Sequence, residues 1–578
     1  MHSSGNIADR IAQFRASTVP LTALIIALAT FSVYAETVPD STSLLRSYRQ
    51  LQSEYATELE SLADQLTAAD NEALAETIRE WPIPAVSNRD WLFVPTDAGD
   101  ADALPTNDEF TNVRKQHAKS LWKLAQQAAQ ADQPSFAVQL AHHTLREDPT
   151  HTAARKMVRV DDDPRKIQTG VGKTRNKTYG WAPGDYRWAR SEHFQLVTTC
   201  NAKIAESLVS ELETLFAVWS QLFAEFRLGN EVFRRAWDRG ELPAGKRSKY
   251  RVVLFADRDE YINQLRRLEP QIALSQGVYR YQQRTAFFYY GDEFSLANMR
   301  HEVGHQLLHG DPVYGSTKGS GAGVGEEQDF WAIEGIAMYF ETMRADPSLS
   351  HQGYYTVGGP DAERLQFARH RALNANEYTP MADLTMQGRE TLQTNPRVRQ
   401  LYSQSGGWAH FLMTGQQQAY RAAFRDYLYD LYKNKKSART IAQRANVSFA
   451  ELDNQYKQFL SLEDADLTGL APDTERLSLG NTRVTDEGLS NLVPLKKLNW
   501  LDLSATPISD ASAANLSTLD NLETLWLAGT NITDASVPSL VKLTKLTELD
   551  LRGTNVTTQG RQQLRAALPK LKTLLPNN

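Results

Sequence analysis

Residues 299–309 read Met-Arg-His-Glu-Val-Gly-His-Gln-Leu-Leu-His and contain the pattern H-E-x-x-H. On an α-helix, His301 and His305 are four positions apart and therefore face the same side. Two imidazoles in that arrangement can bind one zinc ion at about 2.0–2.1 Å. Glu302 lies beside them, where it can take a proton from a water on the metal and pass it to a leaving amine. The stretch predicts a metal-binding helix with His301 and His305 as ligands and Glu302 as the general base.

A catalytic zinc ion needs a third protein ligand and one open position. Three acidic residues downstream are candidates for that ligand: Asp311, Glu334 and Glu341. Asp311 lies where one class of zincins places a ligand, but that class needs a glycine at a position taken here by Leu308. The motif alone therefore leaves all three candidates open.

A second segment, residues 331–341, reads Trp-Ala-Ile-Glu-Gly-Ile-Ala-Met-Tyr-Phe-Glu. The pattern W-x-x-E-G-x-A-x-Y-x-E after H-E-x-x-H resembles the third-ligand helix of the gluzincins. The chain from about Glu192 to Leu462 resembles the peptidase-MA-like gluzincin zinc metallopeptidases, and within them an uncharacterised bacterial family. This resemblance implies an α+β zincin-like domain with Glu334 as the third zinc ligand. Glu341, two helical turns on, is then a candidate for orienting a ligand histidine.

Residues 401–412 form a further helical segment that begins Leu-Tyr-Ser-Gln-Ser-Gly. In related gluzincins a tyrosine on a similar helix donates a hydrogen bond to the oxyanion of the tetrahedral intermediate. The resemblance implies that role for Tyr402, with an ordinary core tyrosine as the alternative. The aminopeptidase branch also carries a G-x-M-E-N segment, whereas residues 277–280 read Gly-Val-Tyr-Arg. An endopeptidase is therefore the better expectation.

The segments 277–281 and 285–290 are short and rich in aromatic residues, and they predict a β-hairpin around Gln282-Gln283-Arg284. Zincins use an edge strand above the active-site helix to pair with an extended substrate. The second segment, Thr285 to Tyr290, is the candidate for that strand, and an ordinary half-buried strand is the alternative.

The C-terminal tail repeats every 24 residues in four columns. The columns are Leu477, Leu501, Leu525 and Leu549; Leu479, Leu503, Leu527 and Leu551; Thr482, Thr506, Thr530 and Thr554; and Val484, Ile508, Ile532 and Val556. The L-x-x-L-x-L-x-x-T pattern resembles a leucine-rich repeat with Thr in the place usually taken by Asn or Cys. Residues 466–578 are therefore expected to form an α/β solenoid with its leucines inward. So short an array is expected to depend on the preceding domain for its cap.

Two ladders of side chains flank the inward leucines on the concave face. They are Arg476, Trp500, Thr524 and Glu548, and Ser478, Asp502, Trp526 and Asp550. Exposed tryptophans beside acidic residues are typical of a protein-binding surface. The alternative is that Trp500 and Trp526 pack against each other or against the preceding domain.

The N-terminal part divides into three predicted segments. Residues 1–35 have two arginines, a short apolar stretch and small residues before Glu36, which is the layout of a secretory signal peptide, with an uncleaved membrane anchor as the alternative. Residues 36–160 are expected to be helical with one tetratricopeptide-like hairpin, and 161–191 to be a linker. The mature protein is expected to be exported, periplasmic or secreted, with no later membrane span.

Composition narrows the chemistry. The 578 residues carry a formal net charge of −6, which argues against a nucleic-acid partner. Cys200 is the only cysteine, so no internal disulfide or cysteine-based zinc site can form. Any metal must therefore be held by His, Asp or Glu.

The sequence as a whole predicts a multidomain protein with an α-helical N-terminal region, a gluzincin-like metallopeptidase domain over 192–465 and leucine-rich repeats over 466–578. The expected function is an exported zinc metallopeptidase that cuts a peptide or protein substrate, with the repeats as a protein-binding module. A non-catalytic binding protein on a zincin scaffold is the alternative. A metal hydrolase that acts on a non-peptide bond is a third option.

Overall fold

A computed structural model describes most of the chain after its N-terminal segment. The described residues are 41–84, 88–95, 107–160, 166–244, 249–310, 324–346, 348, 351–433 and 439–575. The predicted signal peptide, residues 1–35, and the candidate ligand Asp311 lie outside them. None of the helices in the described ranges combines the length and the apolar character that crossing a bilayer requires.

The N-terminal region is helical and contains one strand. Its elements are α1 (Ser41–Ala68), α2 (Glu72–Arg79), β1 (Arg89–Phe93), α3 (Asp108–Gln130), α4 (Pro134–Glu147) and α5 (Thr152–Val158). Helix α3 begins at an Asn107 cap that accepts a hydrogen bond from the Phe110 N–H, and α4 begins with Pro134 in its first turn. These two helices pack against each other as the hairpin expected for this region.

The N-terminal region is not a separate unit, because β1 enters the centre of the molecule. It pairs antiparallel with a strand more than 250 residues later, with Arg89 opposite Gly358. At the same place Arg89 forms a buried ion pair of 2.5 Å with Asp361, and Asp90 forms one of 2.6 Å with Arg421. Removing either partner of such a pair leaves a buried charge uncompensated. The helices before residue 160 are therefore part of the folded body.

The central region alternates strands and helices and then becomes helical. Its strands are β2 (Gln168–Val171), β3 (Arg187–Arg190), β4 (Phe194–Thr198), β5 (Tyr250–Phe255), β6 (Gly277–Arg280), β7 (Thr285–Tyr289), β8 (Arg344–Ala345) and β9 (Tyr354–Gly358). Its longer helices are α6 (Ala202–Leu222), α7 (Ala224–Leu228), α8 (Asn230–Asp238), α9 (Arg258–Leu265), α10 (Leu296–His309) and α11 (Phe330–Glu341). They continue with α12 (Glu363–Leu373), α13 (Met381–Thr385), α14 (Arg389–Gln393), α15 (Val398–Gln418), α16 (Arg421–Tyr432), α17 (Ile441–Ala445) and α18 (Phe449–Leu460).

Six strands form the main sheet in the order β2-β3-β4-β5-β7-β6. The segment 161–191 was predicted to be a linker, and that prediction is wrong for its described part, because β2 and β3 belong to this sheet. Both strands have only four residues, and β2 lies at the sheet edge with mostly exposed side chains. Such strands lack the buried alternation that identifies a strand in a sequence.

The predicted hairpin is present, but the strand at the sheet edge is β6 and not β7, which was the predicted edge strand. β6 and β7 pair antiparallel, with Gly277 opposite Phe288. β7 also pairs with β5, so it lies inside the sheet and all five of its residues are buried. The strand from Thr285 therefore cannot offer its backbone to a substrate, and β6 is the edge.

The C-terminal region is a solenoid built on five short parallel strands. Its elements are β10 (Arg476–Ser478), β11 (Trp500–Asp502), α19 (Ala513–Leu516), β12 (Thr524–Trp526), α20 (Val537–Leu540), β13 (Glu548–Asp550), α21 (Thr558–Ala567) and β14 (Thr573–Leu575). The strand register matches the 24-residue columns, and the column leucines are fully buried. Each column threonine donates a hydrogen bond to the carbonyl oxygen three residues earlier, as Thr506 does to Leu503. This turn explains why Thr can stand at that position.

A second column, which the sequence analysis did not use, joins neighbouring repeats. The carboxylate of Asp486 accepts hydrogen bonds from the N–H and the hydroxyl of Ser509, at 2.8 and 2.6 Å. The same pair of bonds recurs along the array, where Asp464 accepts from Thr485, Asp510 from Thr533 and Asp534 from Thr557. Each turn of the solenoid is therefore hydrogen-bonded to a carboxylate from the turn before it.

Helix α12 joins the solenoid to the central region. Its fully buried Arg369 donates to the carbonyl oxygens of Leu460 and Ser478, and the amide oxygen of Gln366 accepts from the Ser478 N–H. Leu462, Leu467 and Leu470 close the end of the repeat core. The first strand is thus capped by the preceding chain, as the shortness of the array predicts.

The two concave-face tryptophans pack as the alternative in the sequence analysis describes. Trp500 and Trp526 meet edge to face at 5.0 Å, and His370 on α12 lies about 6 Å from each ring. The Trp526 indole N–H also donates to Glu548 at 2.8 Å. Both side chains are half-buried, so much of their surface serves the junction with α12.

Candidate metal centre

Helix α10 carries the H-E-x-x-H residues and is oriented by its apolar side. It begins at Ser295, whose hydroxyl caps the Asn298 N–H, and ends before Gly310, which adopts a positive φ. Met299, Val303 and Leu307 are fully buried at spacings of four. This buried row fixes the rotation of the helix and turns the two histidines toward α11.

Helix α11 approaches α10 and α15 closely because of two glycines. A Cβ on Gly304 of α10 would be 3.2 Å from the Phe340 ring, and one on Gly335 of α11 would be 2.5 Å from the Ser405 carbonyl oxygen of α15. Gly335 directly follows Glu334, so the contact with α15 also fixes the backbone that carries this carboxylate.

The structure brings His301, His305 and Glu334 together. The two Nε2 atoms are 3.2 Å apart, and the Glu334 carboxylate oxygens lie 3.4 Å from His301 Nε2 and 3.7 Å from His305 Nε2. Ligands at about 2.05 Å in tetrahedral geometry around one zinc ion would be roughly 3.3 Å apart. The donor set and its spacings therefore match a zinc site with one position left open. These three residues are the one group of this kind in the described part of the chain.

Glu341 holds the orientation of His301. Its carboxylate accepts a hydrogen bond from His301 Nδ1 at 2.8 Å, and its other oxygen lies 3.4 Å from Arg364 Nε on α12. An Nδ1–H bound to a carboxylate leaves Nε2 as the nitrogen that faces a metal. The Glu341 carboxylate thus lies behind His301, and the Glu334 carboxylate faces the two Nε2 atoms.

His305 has a weaker partner on its far side. Its Nδ1 lies 3.5 Å from the Tyr432 hydroxyl of α16. Burial lowers the pKa of His305 to about 3, so the ring stays neutral, which is the form that binds a metal. Burial alone would also lower the pKa of His301, but hydrogen bonds to Glu334 and Glu341 raise it well above its usual range.

Glu302 lies on the same helix and is held by the edge strand. The Tyr279 N–H of β6 donates to its carboxylate at 2.6 Å. Burial raises the pKa of Glu302 to about 7, with the Glu334 charge acting in the same direction and His301 opposing. A carboxyl group with a pKa near neutrality suits both the uptake and the release of a proton.

Tyr402 lies on α15 beside this centre. Gln393 Nε2 donates to its hydroxyl at 3.4 Å. Burial raises the pKa of Tyr402, and the charge of Glu334 acts in the same direction. At neutral pH the hydroxyl therefore keeps the proton that an oxyanion would accept.

Two polar groups near the centre were not found from the sequence. Tyr432 contacts His305, and the guanidinium of Arg389 lies 5.6 Å from the centre of the Tyr281 ring. Arg389 is not part of any motif. It reaches the cleft through the backbone pairing of the segments before α11 and α14, for which a single sequence holds no local signal.

A match to a family model supports the repeats. The model of the family Leucine Rich repeats (2 copies) matches residues 520–559. An internalin from Listeria monocytogenes is similar to 18% of this chain and 36% of its own, at 24% identity and a TM-score of 0.16. The chain thus spans about a third of that internalin. No match was found among the curated proteins.

Proposed function

We propose that the protein is a zinc-dependent metallopeptidase, with His301, His305 and Glu334 as metal ligands and Glu302 as the general base. The observation that supports it most is the spacing of the three ligand atoms, 3.2 to 3.7 Å, with Glu341 behind His301. The resemblance of the two helical motifs to gluzincins points the same way.

The chemistry follows from the arrangement. Zinc, when bound, supplies a Lewis acid that polarises the scissile carbonyl. Glu302, fixed by the Tyr279 N–H, takes a proton from the attacking water and delivers it to the leaving amine. Tyr402 donates its phenol proton in a hydrogen bond to the oxyanion, a contact that is worth about 2.7–4 kcal/mol in other enzymes. The absence of an amine-binding glutamate in Gly277–Arg280 favours cleavage within a chain.

The repeats serve as a module for a protein partner or for the substrate, as leucine-rich repeats commonly do. Together with the signal-like residues 1–35, this indicates an exported enzyme that acts in the periplasm or outside the cell. Because Trp500 and Trp526 are partly used at the junction with α12, the partner would contact the strands further along the array as well.

The test is the zinc content of the purified chain from Glu36, compared with His301→Ala, Glu334→Ala and the control Glu109→Gln on the exposed face of α3. We expect one zinc per chain in the wild type and the control, and none in the two ligand variants. Glu302→Gln should keep zinc and lose hydrolysis of unstructured protein substrates. Zinc-replete protein without metal would contradict the proposal.

A non-catalytic binding protein is the competing function, supported by the repeats alone. It predicts that neither the zinc-loaded wild type nor Glu302→Gln cleaves any peptide. A metal hydrolase for non-peptide bonds predicts zinc and activity on esters with none on peptides.

A further inference from the structure

The region next to the candidate ligand histidines carries two arginines. Its floor is the Tyr281 ring, whose centre lies 6.4 Å from that of His305 and 5.1 Å from that of His309. We call this the Tyr281 corner and define it by Tyr281, His309, Arg284 and Arg389.

Arg389 is placed in the corner by backbone hydrogen bonds. Its N–H donates to the Gly325 carbonyl oxygen at 3.0 Å, and two residues earlier the Gln387 carbonyl accepts from Phe330 at 3.2 Å. The guanidinium lies 4.9 Å from the centre of the Phe330 ring and 5.6 Å from that of Tyr281. It forms an ion pair of 3.0 Å with Glu326, and 30% of its side chain remains exposed. A planar guanidinium flanked by rings keeps a fixed direction, which suits recognition of a carboxylate.

Arg284 approaches the corner from the β6–β7 turn. The Gln306 amide, on α10, donates to its carbonyl oxygen at 3.1 Å and thereby ties the turn to the metal-binding helix. Its Nη1 atom is buried and has no hydrogen-bond partner among the described residues. A buried charged donor left without an acceptor is costly, so a carboxylate that displaced the groups covering Nη1 would gain a charge-assisted hydrogen bond.

Charges of both signs act on the corner: Arg284 and Lys433 act on His309, and the Glu334 carboxylate acts on Arg389 and on Tyr281. Burial lowers the pKa of His309 to about 4, and the nearby cations Arg284 and Lys433 act in the same direction. The ring is therefore neutral near pH 7, and its Nδ1 is already engaged by the Tyr279 hydroxyl at 2.7 Å. Glu326 offsets one of the cations, and Arg284 is left without an acid partner among the described ion pairs.

We propose that Arg284 and Arg389 form a subsite for a carboxylate of the substrate. The carboxylate belongs either to an acidic side chain near the scissile bond or to the C-terminus of the peptide. This assignment rests on the proposed peptidase function, because it places the carboxylate beside a peptide bond held at the metal. It makes the enzyme selective for acidic peptides, a preference that the sequence motifs do not indicate.

The experiment uses three N-acetylated decapeptides built on the same Ala/Leu sequence. One carries a central Glu and an amidated C-terminus, one a central Gln and an amidated C-terminus, and one a central Gln and a free C-terminal carboxylate. Binding to zinc-loaded Glu302→Gln protein is measured by calorimetry, and kcat/KM is measured with the active enzyme. The variants are Arg389→Gln, Arg389→Lys and Arg284→Gln, and Arg235→Gln on the exposed face of α8 is the matched control.

We expect one of the two carboxylate peptides to bind about 10- to 100-fold more tightly than the neutral peptide, as charge-assisted hydrogen bonds generally provide. The central-Glu peptide identifies a side-chain subsite, and the free C-terminus identifies a terminal one. The preference should fall to near unity in Arg389→Gln, fall in part in Arg284→Gln and in Arg389→Lys, and remain in Arg235→Gln.

The two proposals fail in different ways. Cleavage of all three peptides with equal kcat/KM and equal binding would overturn the carboxylate subsite and leave the peptidase standing. A carboxylate preference in binding that is lost in Arg389→Gln, without cleavage of any peptide, would support the subsite and contradict the peptidase. If Arg389→Gln does not fold, a preference that persists in both Arg284→Gln and Arg389→Lys overturns the subsite.

Discussion

The contact between α11 and α15 leads to a sharp prediction for Gly335→Ala. The new methyl carbon would lie 2.5 Å from the Ser405 carbonyl oxygen and 3.1 Å from its carbonyl carbon. Non-bonded atoms of this size need about 3.5 Å, so the two helices must separate by roughly 1 Å. The neighbour is backbone in the middle of a helix and cannot rotate away. Overpacking of this kind costs about 1–3 kcal/mol, more than the gain of about 1 kcal/mol in helix propensity.

The same shift should weaken metal binding, because Glu334 precedes Gly335. Metal ligands have to be placed within about 0.2 Å, so moving the carboxylate by most of an ångström should lower zinc affinity about tenfold or more. Zinc affinity is measured by competition with a chromophoric chelator, and unfolding by urea. Gly304→Ala is the milder comparison: its methyl group would meet the buried Phe340 ring at 3.2 Å, only a few tenths of an ångström too close, so we expect a smaller loss than for Gly335→Ala. Equal zinc affinity and equal unfolding midpoints for Gly335→Ala and wild type would refute the reasoning.

Three further predictions concern separate parts of the molecule. Glu341→Gln should lower zinc affinity by roughly 10- to 100-fold, since His301 loses the carboxylate that orients it; unchanged affinity in the chelator assay would mean that the ring is held by packing alone. Asp486→Ala should destabilise the repeats by about 1–3 kcal/mol in urea unfolding, because Ser509 loses its acceptor, whereas Asp520→Ala at an exposed position should not. Burial lowers the pKa of His410 to about 3, whereas its value in the unfolded chain is about 6.5. As the pH falls below 6.5, the unfolded chain binds a proton that the folded state does not bind. The free energy of unfolding therefore decreases in this pH range. Between pH 6.5 and 5 this one group should remove about 2 kcal/mol of stability, and His410→Leu should show a correspondingly smaller pH dependence; an identical slope would exclude His410 as the cause.

The features that the sequence predicts well are those with a local period or a motif. The leucine columns appear in the structure in the same register, because each repeat uses the same turn and the same buried positions. Glu334 and the two histidines lie together, since the helical spacing within each motif fixes which face every side chain takes. The hairpin at residues 277–289 follows from its turn and its aromatic strands.

The features that the sequence analysis missed depend on pairings between distant segments. β1 pairs with β9 across more than 250 residues, so the N-terminal helices could not be recognised as part of the central body. The order of β5, β6 and β7 is decided by the sheet, and it reverses the assignment of the edge strand. Arg389 lies near the metal centre only because its segment pairs with the chain before α11. Asp486, Asp510 and Asp534 recur every 24 residues in the sequence, but Asp464 lies only 22 residues before Asp486, and one of the four donors is Ser rather than Thr.

The aspartate column gives the solenoid a direction. Each carboxylate on one turn of the solenoid accepts hydrogen bonds from the following turn. The series starts with Asp464 before the first strand and ends with Asp534. The next position in the column is Thr558, which has no carboxylate to offer. Removing the last turn of the array would therefore leave Asp534 without the two hydrogen bonds that it accepts from Thr557. Separating the array from α12 would remove the hydrogen bond from the buried Arg369 to the Ser478 carbonyl oxygen, so the first strand depends on the central region for its cap.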